Sequence, residues 1–250
     1  MAPENTLAAF ARALADGADG VELDVRLARD GVPVVIHDAT LRRTGITNEV
    51  VAELTSTQLA KIDVGTWFKR KQMRSARDEY SAERVPTLQN ALSLCRDQPG
   101  IIYIELKSDV SKSKIELVGS VAELIDTLRL HGRAVVVSFD LEALMAMKAL
   151  DSSMRTGALF APARNGGTLR SETVVKSAVH CGADEILLHR LLARPKLIDK
   201  ARKNNLPVVV WTVDDAKWIQ RADVFGIHAL ITNDPGKLVA ARREYERRPR

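Results

Sequence analysis

Residues 20–27 read Gly20-Val21-Glu22-Leu23-Asp24-Val25-Arg26-Leu27, and residues 101–107 read Ile101-Ile102-Tyr103-Ile104-Glu105-Leu106-Lys107. Both are rich in branched apolar residues and carry charge at every second position toward their ends, which is the period of a β-strand. Residues two apart on a strand share a face. Glu22 and Asp24 therefore point one way while Val21, Leu23 and Val25 point the other, and Glu105 shares a face with Lys107. Acids on otherwise apolar strands are uncommon, and here they gather at the C-terminal ends.

Outward from these two stretches the chain alternates. Further β-prone runs are Ala134–Phe139, Gly157–Phe160, Glu185–His189, Pro207–Val213 and Ala229–Thr232. Amphipathic helical patterns lie around and between them, at Glu4–Ala15, Thr87–Cys95, Ile115–Leu130, Leu141–Leu150, Ser171–Cys181, Pro195–Lys203, Ala216–Arg221 and Lys237–Arg247. Strand and helix in turn, with no Pro/Gly/Ser-rich linker, predict parallel βα units in one domain. The architecture expected is a (βα)8 TIM-type barrel, whose functional groups collect at the C-terminal rim of the strands. Seven core strands are counted and the sequence opens on a helix, so the expected barrel lacks its first strand.

One element interrupts the alternation. Arg29-Asp30-Gly31 follows the first strand, and Val32–His37 reads VPVVIH. Asp-Gly between two β-prone runs is a hairpin signal, because a tight turn needs positive φ. A two-residue turn at Asp30-Gly31 would pair Arg29 with Val32 and set His37 directly opposite Asp24.

The composition narrows what such a fold does. Of 250 residues, 46% are hydrophobic and 28% charged, ordinary for a globular chain with a large core. No run approaches the length of a membrane span and no basic-then-apolar leader is visible, so a cytoplasmic protein is expected. Cys95 and Cys181 have no metal-binding spacing and read as buried, reduced thiols. The net charge is +5, partly from arginines of the last helix and tail, and aromatics make up 4%. With so few rings near those arginines a nucleic-acid stacking surface is not expected. A small anionic substrate suits the charge better.

Three carboxylates, Glu22, Asp24 and Glu105, converging without a cysteine form an all-oxygen site suited to Mg²⁺ or Ca²⁺. Lys107 beside them offers a positive charge to an anionic oxygen. His37 can move a proton near neutral pH. Together these are the groups that cleave a phosphodiester.

Several stretches add a resemblance. Ala2–Phe10 contains PENT followed by an Ala-Phe pair, Gly17–Val25 contains an E-x-D strand, and Asp30–Asp38 reads DGVPVVIHD. Gly65-Thr66-Trp67-Phe68, Val85-Pro86-Thr87-Leu88, the E-x-K strand, Ser138-Phe139-Asp140, Val210–Val213 and Ile231–Pro235 follow in order. Across nearly its whole length the chain resembles the glycerophosphodiester phosphodiesterase family. The resemblance implies hydrolysis of glycerophosphodiesters to sn-glycerol 3-phosphate and an alcohol. It implies Glu22, Asp24 and Glu105 as ligands of a divalent cation, Lys107 as a phosphate contact, His37 as a catalytic histidine and Trp211 as an aromatic residue on the glycerol side. The inserted segment Thr66–Val85 would lie above the barrel mouth, with Lys69–Arg84 as a solvated flap. The family's His-Arg-Gly first strand, with a second histidine and an arginine, has no counterpart in the sequence as written. The alternative is therefore a barrel that binds a phosphodiester and hydrolyses it poorly. Phosphoinositide or sphingolipid diesters are a further reading, against which the PENT helix and E-x-K strand argue.

Overall fold

A computed structural model describes residues 1–68, 80–107, 111–162 and 169–248, in two compact units. Most of the expected flap, Lys69–Arg84, lies outside the described residues, as does the end of the basic tail.

The first unit comprises Met1–Ala15 and Asp19–Ala134. Helix α1 (Leu7–Ala15) leads into strand β1 (Gly20–Leu27), which turns back as β2 (Pro33–Val35). A short 3₁₀ turn (Val51–Glu53) and α2 (Ser56–Leu59) precede α3 (Leu88–Arg96), β3 (Ile101–Leu106) and α4 (Ser111–Thr127). Thr55 and Thr87 start α2 and α3 with capping boxes, each accepting the N–H three residues on. β1 and β3 run parallel with Gly20 beside Ile101 and Asp24 beside Glu105. A side chain at Gly20 would collide with the Ile101 carbonyl, so only glycine permits this close entry. Leu23, Val25, Ile102 and Ile104 are buried, as the alternation requires. A second apolar cluster of Val34, Ile36, Leu41, Leu59, Val64 and Val85 backs the hairpin.

Helix α1 starts at Leu7 rather than Glu4. Asn5 takes φ 56°, and Thr6 supplies the cap by accepting the Ala9 N–H while its hydroxyl donates to Pro3 O. The hairpin also departs from expectation. Its pairs are Leu27 with Pro33, Arg26 with Val34 and Val25 with Val35, one residue away from the register of a two-residue turn. The Ala28 N–H donates to Val32 O at 3.0 Å and the Gly31 N–H to Ala28 O at 3.0 Å, with Gly31 at φ 76°. This is a three-residue loop in which glycine takes the left-handed position. Asp30 is drawn elsewhere: its carboxylate accepts the Ser56 N–H and hydroxyl at the start of α2. As a result Ile36, not His37, bonds opposite Asp24, its N–H donating to Asp24 O at 2.9 Å.

The second unit comprises Asp16–Ala18 and Val135–Arg250. Its strands are β4 (Ala134–Ser138), β5 (Thr156–Phe160), β6 (Glu185–His189), β7 (Val208–Trp211) and β8 (Ala229–Leu230), each parallel to the next. Helices α5 (Leu141–Leu150), α6 (Ser171–His180), α7 (Pro195–Lys203), α8 (Lys217–Phe225) and α9 (Pro235–Glu246) follow them in turn. Asp140 and Asp234 cap α5 and α9. Ile186, Leu188, Val208 and Val210 pack with Leu197, Ile198 and Trp218 in a core between strands and helices.

All seven runs read as core strands therefore lie in parallel ladders, joined by helices in the (βα)8 manner, and β2 is the added antiparallel strand. Among the described residues no helix is long and apolar enough to cross a membrane.

Candidate active site

The β1–β3 register creates the site. It makes Asp24 and Glu105 lateral neighbours, and Glu22 lies two residues back on the same face. One oxygen from each of the three carboxylates lies within 4.8 Å of the others. Asp24 and Glu105 are each only 7% exposed, so the cluster is held away from water. Lys107 follows β3, its N–H donating to Val25 O at 3.0 Å, and its Nζ stands 2.5 Å from Glu105 Oε1 and 3.1 Å from Asp24 Oδ1.

One lysine does not neutralise three carboxylates. Burial, reinforced by Asp24 and Glu105, pushes the Glu22 carboxyl well above its ordinary range. Burial raises Glu105 to about 7, with Asp24 adding to the rise and Lys107 opposing it. Burial works against the charge on Lys107, but Asp24 and Glu105 outweigh it and hold the ammonium more firmly protonated than usual. Crowded, dehydrated carboxylates of this kind fit a hard divalent cation, which would supply the positive charge the lysine cannot.

Asn5 braces the cluster. Its Nδ2 donates to Asp24 Oδ2 at 2.7 Å, and its Oδ1 accepts the Asp24 N–H at 3.1 Å. His37 sits just beyond β2, its carbonyl accepting from Arg26 Nε at 2.8 Å. Its partner is Asp38, with Nδ1 and Oδ1 at 2.6 Å. Asp38 is held by Arg43, whose Nε donates to Oδ2 at 2.7 Å. The Arg43 bond, with His37 and charge attraction assisting, lowers Asp38 to about 2. Arg43 also grips Glu4 through both terminal nitrogens at 2.6 Å. A small recess, partly open to solvent, lies among Glu4, Asn5, His37 and Thr44.

Glu22, Asp24, Glu105 and Lys107 are thus brought together as their spacing predicts. His37 lies in the same unit but takes Asp38, not Asp24, as its nearest acid. Trp211 belongs to the second unit, at the C-terminal end of β7. Its ring meets Phe139 and His189 edge-on, with centroids at 5.6 and 5.1 Å. Asn5, Asp38, Arg43 and Glu4 had no assigned role in the sequence reading. The signals for them were faint: two polar residues in the first turn of the expected helix, and an acid next to a histidine.

Residues 1–237 match the model of the "Glycerophosphoryl diester phosphodiesterase family". A glycerophosphodiester phosphodiesterase of Caldanaerobacter subterraneus is 31% identical over 242 residues, covering 95% of this chain and 91% of that protein. The crystal structure of glycerophosphodiester phosphodiesterase from Agrobacterium tumefaciens superposes with a TM-score of 0.78 at 27% identity, covering 96% of this chain and 94% of that one. An Oleispira antarctica phosphodiesterase, solved in complex with the product sn-glycerol-3-phosphate, shares the fold with a TM-score of 0.82 at 23% identity, covering 96% and 91%.

Proposed function

Because the chain belongs to the glycerophosphoryl diester phosphodiesterase family, whose members are phosphoric diester hydrolases, we propose that it hydrolyses glycerophosphodiesters to sn-glycerol 3-phosphate and an alcohol, using a divalent cation. The observation that carries the reading is the lateral pairing of Asp24 with Glu105, with Glu22 and Lys107 on the same face.

Glu22, Asp24 and Glu105 would hold Mg²⁺ or Ca²⁺. When bound, the cation supplies Lewis acidity, drawing charge from the phosphoryl oxygens. Lys107 gives a second positive charge on the same face, available to a phosphate oxygen. Hydrolysis forms a bond from water oxygen to phosphorus, the water giving up a proton to solvent, and breaks the bond from phosphorus to the alcohol oxygen, which must then take up a proton. His37 is suited to deliver that proton from Nε2. Asp38 accepts from Nδ1 and, ionised at any pH above about 2, stabilises the imidazolium before transfer. Trp211 is proposed to line the glycerol side of the substrate, on the support of its place at the C-terminal end of β7 beside two other rings.

A single family model running from residue 1 to 237 supports treating the chain as one domain of this activity. The two buried, free cysteines fit the reducing cytoplasm as its location. The alternative of a barrel that binds without hydrolysing is not favoured, since relatives covering nearly the whole chain are named as enzymes. The reading is tested with chelator-stripped protein and glycerophosphocholine, measuring release of sn-glycerol 3-phosphate. Turnover restored by Mg²⁺ or Ca²⁺ is expected. Absence of product with either cation overturns it.

A further inference from the structure

Arg43 contacts two carboxylates near the site, Glu4 and Asp38, yet it lies on the surface. Its side chain is 41% exposed and that of Glu4 39%. Ion pairs at such positions contribute little to stability. The geometry is nevertheless specific. The two terminal nitrogens fork onto the two oxygens of Glu4, and Nε points at Asp38 Oδ2. This planar fork is a guanidinium property that lysine lacks. The guanidinium carbon lies over the Trp67 ring, 5.7 Å from its centroid.

Each bond leads to the next. With Oδ2 taken by Arg43, Asp38 has Oδ1 left for His37 Nδ1, and that contact selects the tautomer. At the other end, Glu4 adjoins Asn5, the residue that braces Asp24. Two consecutive residues ahead of α1 therefore reach both halves of the site, one holding a carboxylate of the cluster and the other holding the histidine through Arg43. The contacts cross 39 residues of sequence from Glu4 to Arg43 and 19 from Asn5 to Asp24.

We infer that Arg43 is a positioning residue for the proposed hydrolysis: clamped by Glu4, it orients Asp38 so that His37 keeps its proton on Nδ1 and presents Nε2 to the leaving group. The inference rests on the proposed function for its kinetic consequence but not for its structural one. Arg43 touches no reacting atom, so its removal lowers kcat through His37 and leaves KM and cation affinity little changed. Losses from second-layer residues of this kind run to about 10- to 100-fold.

The experiment compares wild type, Arg43→Gln, Arg43→Lys, Glu4→Gln, His37→Ala and the His37→Ala/Arg43→Gln double variant, with thermal melts of each. Two readouts are taken: glycerophosphocholine turnover, and ¹⁵N chemical shifts of the His37 imidazole. Arg43→Gln is expected to lose about 10-fold or more in kcat, with Arg43→Lys only partly rescued because it cannot fork. In the double variant Arg43→Gln should add nothing to the loss from His37→Ala, since nothing remains to position. In its neutral form the imidazole should be an Nδ1–H tautomer in wild type and a mixture of tautomers in Arg43→Gln, so that the proton gained on forming the imidazolium sits on Nε2 in wild type. Should Arg43→Gln fail to fold, Glu4→Gln reports on the same chain of contacts. Equal fold-losses with and without His37, or an unchanged tautomer in a folded variant, overturn the inference. A wild-type protein without turnover overturns the proposed reaction instead, and the imidazole shifts still decide the role of Arg43.

Discussion

Asn5 holds Asp24 from two directions, its amide donating to the carboxylate at 2.7 Å and its carbonyl accepting the Asp24 N–H at 3.1 Å. It does so at φ 56°, a left-handed conformation that asparagine tolerates better than most residues. Asn5→Ala removes both bonds and releases the segment before α1. Cation affinity should fall about 10-fold, as when the partner of a liganding carboxylate is lost. Isothermal titration with Mg²⁺ or Ca²⁺ checks this, and wild-type affinity in a folded variant would show that Asn5 only shapes the helix start.

A pH dependence follows from the crowded carboxylates. Burial lifts Glu105 from an ordinary 4.5 to about 7 and Glu22 upward too, so the metal-free folded state holds protons that the unfolded chain has released. Such groups add stability that is complete below about pH 4.5 and is lost as the pH rises through about 7. The metal-free protein should melt at lower temperature at pH 8 than at pH 5.5, and a saturating divalent cation should remove most of the difference. Scanning calorimetry with and without chelator shows whether the slope has this sign.

The same reasoning makes Glu105→Gln a two-sided variant. It should weaken cation binding while raising metal-free stability near pH 8 by ~1 to 3 kcal/mol, the cost of ionising a carboxyl lifted from 4.5 to about 7. Denaturant unfolding in chelator measures the gain, and a loss of stability in the metal-free state would mean that the Lys107 pair outweighs the repulsion.

His37→Ala should cut turnover of alkyl diesters by roughly 10²-fold, in keeping with loss of a general acid. Diesters with a p-nitrophenol leaving group need little protonation and should lose much less. Steady-state rates on the two substrate types separate proton delivery from a structural role, under which both would fall alike.

Much of this was legible in the sequence because period-two alternation is strict. Glu22 with Asp24, and Glu105 with Lys107, share a face in any strand that buries Leu23 and Ile104. Parity does not give register, and the hairpin shows how register escapes local reading. Asp30-Gly31 resembles a two-residue turn, yet the Asp30 carboxylate binds Ser56, 26 residues away, and the loop closes on three residues instead. The His37–Asp38 contact lies between neighbours in sequence. Glu4 and Arg43 lie far apart, and only the folded hairpin and the turn before α1 bring them together. Helix α1 likewise starts late because Glu4 and Asn5 serve Arg43 and Asp24 rather than the helix.

The central claim, that Glu22, Asp24 and Glu105 hold one cation on which hydrolysis depends, is tested most directly by titrating stripped protein with Mg²⁺ or Ca²⁺ while following bound ion and sn-glycerol 3-phosphate release in the same samples. One ion should bind per chain, activity should rise with the same midpoint, and Glu22→Gln/Glu105→Gln should abolish both. Full turnover in chelator, or an ion bound with wild-type affinity by the double variant, would contradict the account.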